Sequence, residues 1–379
     1  MTIAFIDLAA QQSRIRSQLD ARLKQVMDRG DYIMGREVGE LETALSERLG
    51  GHHVISCSSG TDALILGLLG LKVRPGDGII VPSFTFAASA ESIAVLGASP
   101  VFAEVEEASF NLDPNLLEDA LAAGKKAGLN MVGIMAVGLF GQPANLPTIS
   151  EFAAKNGLWL LDDAAQSFGA KWAEKPVGQY GAVTATSFFP AKPLGCYGDG
   201  GALFTADDKI AEIARSCRIH GQGSDKYENI HIGMTARLDT MQAAILLAKL
   251  EIFDEELAAR QQIADRYNKM LEDIVTTPKL ADAATSSWAQ YVIRLPEGSD
   301  RSAIQADLAK KGVPTAIYYP RPMHTQPVYA HYPVSTSGLA LTEKMAGDVL
   351  ALPMHPYLEK DTQIRIVQAL EAALAIKAA

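Results

Sequence analysis

The sequence predicts an α/β fold in which helices flank a seven-stranded, mostly parallel sheet. Short apolar segments recur from His53 to Thr205, and most are followed by a stretch with helical periodicity. This alternation is typical of parallel strands joined by helical crossovers. At 379 residues, of which 48% are hydrophobic, the chain can bury a large core and is expected to form more than one domain.

The predicted strands are short, and only the last two have hairpin character. They cover residues 53–57, 78–82, 99–103, 131–137, 158–162, 183–188 and 200–205. Gly97, Gly124 and Gly157 stand near the predicted helix ends, where a left-handed glycine commonly forms the C-terminal cap. The helices between the strands are predicted from Thr61 to Leu71, Phe86 to Leu96, Pro114 to Ala123 and Leu146 to Asn156.

A smaller α+β domain is predicted at the C-terminal end, so that residues 1–250 form the large domain and residues 251–379 the small one. A long amphipathic helical pattern from Asp239 to Asp273 bridges the two, and a polar break follows from Pro278 to Ser287. The small domain is predicted to contain strands at 288–295 and 313–319, a helix at 302–311, and the segments LTEKMAGDVLALP and DTQIRIVQALEAALA.

Composition excludes several classes of function. The net charge of −10 disfavours binding to nucleic acid, which depends on neutralising phosphates. No apolar run is long enough for a membrane span, and the first residues do not resemble a signal peptide, so a cytoplasmic location is expected. Cys57, Cys196 and Cys217 lack metal-ligand spacing; they are interpreted as reduced, packed thiols, and no metal site is expected.

The segment from Leu160 to Gly201 carries the strongest chemical signal. It joins a strand ending in Asp162 and Asp163 to a second apolar run, Lys192 and several glycines. A lysine that forms an imine with an aldehyde cofactor must reach its neutral form, and an acid at a strand end can keep a pyridine nitrogen protonated. Taken singly, the lysine could equally be a solvated surface group and the acids a helix cap.

A loop of Ser58, Ser59, Gly60 and Thr61 lies between the first predicted strand and an apolar helix. Unpaired amides and the positive end of the helix dipole favour a phosphate at such a position. Gly60 permits close approach of the backbone, and Thr61 and Asp62 are predicted to cap the helix. The plainer alternative is an ordinary strand-to-helix connection.

Several motifs occur together in a fixed order: SSGTDAL, PSFTFAAS, LDDAAQSFGA, TSFFPAKPLG, RIHG and RLDTMQAAIL. With them the chain resembles, from Phe5 to about Leu358, the DegT/StrS-type nucleotide-sugar aminotransferases, a branch of the fold type I enzymes that use pyridoxal 5'-phosphate (PLP). The resemblance implies a homodimer with shared active sites and L-glutamate as amino donor. It also implies that Lys192 forms the imine and that Asp163 contacts the pyridine nitrogen. Gln166 is expected against the ring or its hydroxyl, and Phe86 is expected to stack on the ring. The residues expected to bind the phosphate are Gly60, Thr61 and Ser187.

The chain departs from the family at one position. The family commonly reads Gly-x-Asn-x-Arg where this chain has Gly233 to Arg237, so that Thr235 replaces an asparagine that reaches the partner's cofactor phosphate. Arg237 is retained. In the family, the loop corresponding to Thr315–Tyr329 helps to close the sugar site, although without the resemblance it could be a surface loop stiffened by prolines. The predicted substrate-binding residues are Arg237, Tyr318, Tyr319, Arg321 and His324.

The reaction expected from the resemblance is transamination of a nucleotide-linked keto sugar. Dehydratases on this scaffold have histidine in place of the lysine, so Lys192 favours transamination. The segments YYPRPMHTQ and VLALPMHPYL are most similar to members that aminate carbon 3 of UDP-linked 3-oxo-N-acetylhexosamines, including a 3-oxo-glucuronate used for surface polysaccharides. Amination at carbon 4 of a 4-keto-6-deoxy sugar is the alternative, followed by a non-catalytic regulator. A nicotinamide enzyme is disfavoured because no Gly-x-Gly-x-x-Gly follows an early strand.

Overall fold

A seven-stranded sheet lies at the centre of the computed structural model, which describes residues 3–225 and 227–375. Each of the seven strands ends within one residue of its predicted bounds, and a separate two-stranded hairpin lies between the fifth and sixth of them. In chain order the strands are β1 (His53–Cys57), β2 (Asp77–Pro82), β3 (Ser99–Ala103), β4 (Asn130–Val137), β5 (Trp159–Asp163), the hairpin strands β6 (Lys171–Trp172) and β7 (Lys175–Pro176), then β8 (Val183–Ser187) and β9 (Gly201–Thr205).

The sheet has the spatial order β1-β9-β8-β5-β4-β2-β3. Strand β9 is antiparallel to both of its neighbours, β1 and β8, and the other pairs are parallel. The prediction of a mostly parallel sheet with hairpin character at its last two strands is therefore confirmed. Because six strands run in the same direction, their carboxyl ends meet at one edge, where ligands bind in open α/β sheets.

Ten helices of the described chain belong to the region of the sheet and the segment that leaves it. Side chains alternate across each strand, so Ile79 belongs to the core that includes residues of α4, α5 and α8, whereas Ile80 belongs to the core that includes residues of α6 and α7. The helices are α1 (Leu8–Arg14), α2 (Arg16–Arg29), α3 (Arg36–Arg48), α4 (Gly60–Gly70), α5 (Ala87–Ala94), α6 (Leu117–Lys126), α7 (Leu146–Lys155), α8 (Asp208–Cys217), α9 (Thr240–Leu250) and α10 (Phe253–Leu271).

One predicted helix cap is wrong. Gly97 and Gly157 do adopt left-handed conformations, with φ of 77° and 68°. Gly124 instead lies inside α6, where a Cβ atom would stand 2.2 Å from the sulfur of Met131. This glycine is needed for close packing of the helix on the sheet, and the left-handed residue after α6 is Gly128, with φ of 79°.

The long helix predicted from Asp239 to Asp273 is also wrong, because it consists of α9 and α10 with a break at Glu251 and Ile252. The two helices serve different cores. Buried residues of α9 pack with those of α3 and the neighbouring part of the sheet, whereas Ile263 and Tyr267 of α10 pack in the core of the C-terminal part. A single amphipathic pattern in the sequence therefore covers two helices.

The C-terminal part, as far as residue 375, contains a two-stranded antiparallel sheet and three further helices. The strand predicted at 313–319 is absent there; Pro314 and Pro320 supply no amide hydrogens, and one bridge, between Ala316 and Ala351, is formed. The elements are β10 (Tyr291–Arg294), α11 (Arg301–Lys310), α12 (Ala340–Asp348), β11 (Val349–Leu352) and α13 (Lys360–Ala375). Short 3-10 helices occur elsewhere in the described chain at Pro114–Leu116, Leu139–Gly141 and Met323–Thr325.

The core of the C-terminal part joins α10, α11 and α13 to the two strands and also takes in Ile3. The division of the chain at residues 250 and 251 stays a prediction, and residues 376–379 of the predicted small domain lie outside the described residues. Cys57, Cys196 and Cys217 are free and buried, as expected. Among the described residues, no helix combines the length and apolar character that crossing a membrane requires.

Candidate active site

A cavity of about 450 Å³ opens at the edge where the parallel strands end. This volume lies within the range of small-molecule sites in proteins. The loops after β1, β5 and β8 form its floor, and two tyrosines from the C-terminal part reach its wall. Nine of the predicted site residues line it: Gly60, Thr61, Phe86, Asp163, Gln166, Ser187, Lys192, Tyr318 and Tyr319.

The start of α4 provides a cradle for an anion. The Ser59 hydroxyl accepts a hydrogen bond from the amide of Asp62 at 3.0 Å, so Ser59 is the helix cap and the prediction of Thr61 and Asp62 is wrong. The extended backbone at Ser59 places its own hydroxyl over the first turn. A methyl group on Gly60 would lie 2.7 Å from the Cβ atom of Ser187, so glycine is needed for the helix start to approach β8.

Asp163 ends β5 as a buried carboxylate with two hydrogen bonds. It accepts one from the Ser89 hydroxyl at 2.8 Å and one from the amide of Ala165 at 3.2 Å. Burial raises the pKa of Asp163, whereas these hydrogen bonds and the charge of Lys192 act in the opposite direction. A protonated pyridine nitrogen in the cavity would add a positive partner and favour the ionised form.

The neighbouring acid, Asp162, has a different environment, because successive residues of a strand face opposite sides of the sheet. It is fully buried, and neither carboxyl oxygen has a hydrogen-bond partner in the described part of the chain. Burial, with a smaller contribution from Asp163, raises the pKa of Asp162 to about 8. Asp162 is therefore mostly protonated at neutral pH, and of these two acids only Asp163 can supply a negative charge to the cavity.

Lys192 lies in the tight turn after β8, where its amide donates to the carbonyl oxygen of Phe189 at 2.8 Å. The residue is half-buried, but its amine is enclosed, and burial lowers the pKa of Lys192 to about 8 against the opposing charge of Asp163. Roughly a quarter of the amines are then neutral at pH 7.5, compared with about one in a thousand for an ordinary lysine. The amine is thus available as a nucleophile.

Gln166 and two aromatic residues form another wall. Gln166 accepts a hydrogen bond from the amide of Phe140 at 2.6 Å and donates one to the hydroxyl of Tyr319 at 3.1 Å. The ring of Phe86 lies 5.9 Å from that of Tyr319 and is 56% exposed. A ring face is therefore available for stacking on a planar group in the cavity.

Four predicted residues do not line this cavity, and their roles stay predictions. The imidazole of His324 lies between the Ser83 hydroxyl at 2.7 Å and the Glu343 carboxylate at 3.1 Å. The Thr235 hydroxyl is 2.8 Å from Nε2 of His220. Arg237 is half-buried, its Nε atom lacking a partner among the described residues, and Arg321 is exposed.

Sequence reasoning did not identify three polar residues of this region. Ser89 contacts Asp163 across a separation of 74 residues, and Asp199 and Gln290 line the cavity. Ser89 belongs to the PSFTFAAS motif, but nothing in its spacing indicates the carboxylate. The fold alone brings these groups together.

The residues present fit PLP: Gly60, Thr61 and Ser187 suit its phosphate, Asp163 its ring nitrogen and Lys192 its aldehyde. Together with the sheet topology they define a PLP-dependent enzyme of fold type I. The model of the DegT/DnrJ/EryC1/StrS aminotransferase family matches residues 13–371. The chain therefore belongs to this family, a group of PLP-dependent transferases of nitrogenous groups, and the resemblance found in the sequence is confirmed.

Individual proteins agree with this assignment. The chain is 46% identical to the UDP-2-acetamido-2-deoxy-3-oxo-D-glucuronate aminotransferase of Pseudomonas aeruginosa, over 94% of this chain and 96% of that enzyme. It superimposes on a DegT DnrJ EryC1 StrS aminotransferase from Brucella abortus with a TM-score of 0.95 and 46% identity, covering 98% and 99% of the two chains. NtdA from Bacillus subtilis, solved with bound cofactor PMP, gives a TM-score of 0.87 at 28% identity, over 96% of this chain and 82% of that one.

Proposed function

We propose that the protein transfers the amino group of L-glutamate to carbon 3 of a UDP-linked 2-acetamido-3-oxo sugar, preferentially a hexuronate. The observation that carries this proposal is the 46% identity to the Pseudomonas aeruginosa enzyme over nearly the full length of both chains. The cavity supports the chemistry, because it combines an enclosed amine with a buried acid and a phosphate cradle. The reaction would take place in the cytoplasm, and its product would be used for surface polysaccharide synthesis.

The bound cofactor supplies an electron sink for the carbon that loses its proton. Lys192 would hold the cofactor covalently through its amine, and the same amine, when free, would take up and return the proton at the substrate carbon. Asp163, held by the Ser89 hydroxyl at 2.8 Å, would keep the ring nitrogen of the cofactor protonated. Gly60, Thr61 and Ser187 fix the phosphate end, so that the reacting atoms keep their orientation.

We further propose that the active unit is a homodimer. Among the cavity-lining residues of the described chain, Lys192 is the one basic side chain, and the cofactor engages it. A nucleotide diphosphate and the carboxylates of glutamate need further cations. Arg237 and Thr235 do not line the cavity of their own subunit, which is consistent with their binding ligands in the cavity of the partner subunit.

A surface next to this region supports the homodimer. Tyr32, Ile33 and Met34 are 50%, 49% and 41% exposed, and Ile33 forms a bridge with Asp239, two residues beyond Arg237. An apolar surface of this kind in a globular protein is typical of an interface. A monomer at micromolar concentration that retains full activity would contradict the proposal.

The substrate is tested by incubating the protein with PLP, L-glutamate and either a UDP-2-acetamido-3-oxo sugar or a dTDP-4-keto-6-deoxy sugar. Formation of 2-oxoglutarate and of the amino sugar is followed by mass spectrometry. We expect amination of the UDP-3-oxo sugar, with the hexuronate preferred to the hexose if Arg237 pairs with its carboxylate. Amination of the 4-keto sugar alone would support the carbon-4 alternative, and no product from either would support the regulator.

A further inference from the structure

Gln290 brings to the cavity a side-chain amide that none of the roles above uses. It lines the same cavity as Tyr318 and Tyr319, and its Oε1 atom is buried without a hydrogen-bond partner in the described part of the chain. Buried polar atoms are nearly always paired, and an unpaired amide oxygen destabilises the folded protein. A ligand that supplies the missing partner would therefore gain binding free energy at this position.

The backbone around Gln290 is fixed against the cavity wall. Its amide donates to the carbonyl oxygen of Phe140 at 3.2 Å, and the amide of Ser287 donates to that of Gly141 at 3.0 Å. The Ser287 hydroxyl donates to the carbonyl oxygen of Gln166 at 2.5 Å. Strand β10 begins at the next residue. The side chain is thus presented from a rigid support, which is what selective recognition requires.

The polar groups expected to hold the cofactor come from the sheet edge and already have assigned partners. In particular, the amide of Gln166 is engaged by Phe140 on one side and by Tyr319 on the other. Gln290, like Tyr318 and Tyr319, comes from the C-terminal part of the chain. None of these three residues is among those expected to hold the cofactor, so their side chains are available to the sugar substrate.

We propose that Gln290 determines specificity by forming a hydrogen bond with the acetamido group on the carbon next to the reacting keto carbon. A carboxamide carries both a donor and an acceptor, as an acetamido group does, so the two groups are complementary. This inference rests on the proposed function, because it takes a 2-acetamido-3-oxo sugar as the substrate. A sugar with a hydroxyl group at that carbon reaches less far and would gain less from Gln290.

The reaction has two halves, transfer of the amino group from glutamate to the cofactor and transfer from the cofactor to the sugar. Measuring them separately distinguishes a contact with the sugar from a contact with the cofactor. We would compare Gln290→Leu, which keeps the size and removes the amide, with Gln305→Leu, whose native amide bonds to Thr315 at 3.2 Å and is not among the cavity-lining residues of the described chain. The glutamate half is followed by the absorbance of the bound cofactor, and the sugar half with enzyme in the PMP form. For Gln290→Leu we expect an unchanged glutamate half, a loss of about tenfold in kcat/KM for the 2-acetamido-3-oxo sugar, and a loss under about threefold for its 2-hydroxy counterpart, since one hydrogen bond is removed. Gln305→Leu should match the wild type in all three.

Other results would overturn the inference. A shifted cofactor spectrum with losses in both halves would show that Gln290 contacts the cofactor ring, and equal losses with the two sugars would show that it does not read the acetamido group. Wild-type rates in Gln290→Leu would show that the amide is not used in binding. If the wild-type protein reacts with glutamate but aminates neither 3-oxo sugar, the proposed substrate fails and the inference fails with it.

Discussion

Replacing Ser89 by alanine tests whether its hydrogen bond keeps the Asp163 carboxylate ionised for the ring nitrogen of the cofactor. The Ser89 hydroxyl donates to a buried carboxylate at 2.8 Å, and a hydrogen bond to a charged group contributes about 1.5–3 kcal/mol. Losing this bond should therefore raise the pKa of Asp163 further above its ordinary value, because the ionised form loses that stabilisation. The carboxylate then competes more strongly with the ring nitrogen for the proton.

The assay is the dissociation constant of PLP from the apoprotein, measured by absorbance between pH 5.5 and 8.5. For Ser89→Ala we expect affinity about tenfold weaker near neutral pH, with the acid limb of the pH profile moved to higher pH. Ser92→Ala is the matched control, because its hydroxyl lies on the same helix and donates to the backbone oxygen of Ser89 at 3.1 Å. Identical pH profiles for wild type, Ser89→Ala and Ser92→Ala would refute the reasoning.

Three further predictions concern the same cavity and the strand beneath it. Lys192→Ala should abolish the imine absorbance and turnover while leaving the circular dichroism spectrum unchanged, and retained transamination would overturn the assignment. In the wild type, the rate of imine formation from the apoprotein should rise with pH through about 8, because burial lowers the pKa of Lys192 to about 8. Gly60→Ala should weaken PLP binding by about tenfold, because the new methyl group would lie 2.7 Å from the Cβ atom of Ser187 and such overpacking costs about 1–3 kcal/mol. The control is Gly39→Ala, where a Cβ atom meets nothing within 4 Å; this variant should bind PLP as the wild type does. Asp162→Asn should remove a pH dependence of the free energy of unfolding. Burial raises the folded pKa of Asp162 to about 8 from an ordinary value of 3.8. The stabilisation that Asp162 contributes is therefore fully present below the unfolded pKa and is lost as pH rises towards 8, by on the order of 1 kcal/mol per pH unit. Urea unfolding at pH 5.5 and 7.5 should show this decline in the wild type and not in the variant, and parallel curves would contradict it.

The strands of the large sheet could be predicted closely, because each is a short apolar segment bounded by turn residues and buried on both faces. The amphipathic pattern across Asp239–Asp273 was misleading, since periodicity reports which side of a helix is buried and not which core buries it. The segment 313–319 was misleading in another way, because apolar β-branched residues favour a strand, whereas Pro314 and Pro320 deprive it of ladder donors. Tertiary packing decided the first outcome, whereas the prolines in and beside the segment decided the second.

The sequence by itself determined the fold class, the family and the groups that we propose hold the cofactor, because Gly60, Asp163, Ser187 and Lys192 stand in motifs at or just after the ends of predicted strands. Parallel strands bring their carboxyl ends to one edge, so the order of the motifs along the chain is enough to place these groups together. The tertiary structure alone decided that Ser89 supports Asp163, that Asp162 is buried and protonated, and that Gln290 reaches the cavity. These contacts join residues far apart in the chain, and their energies depend on burial and hydrogen-bond distances that no linear pattern contains.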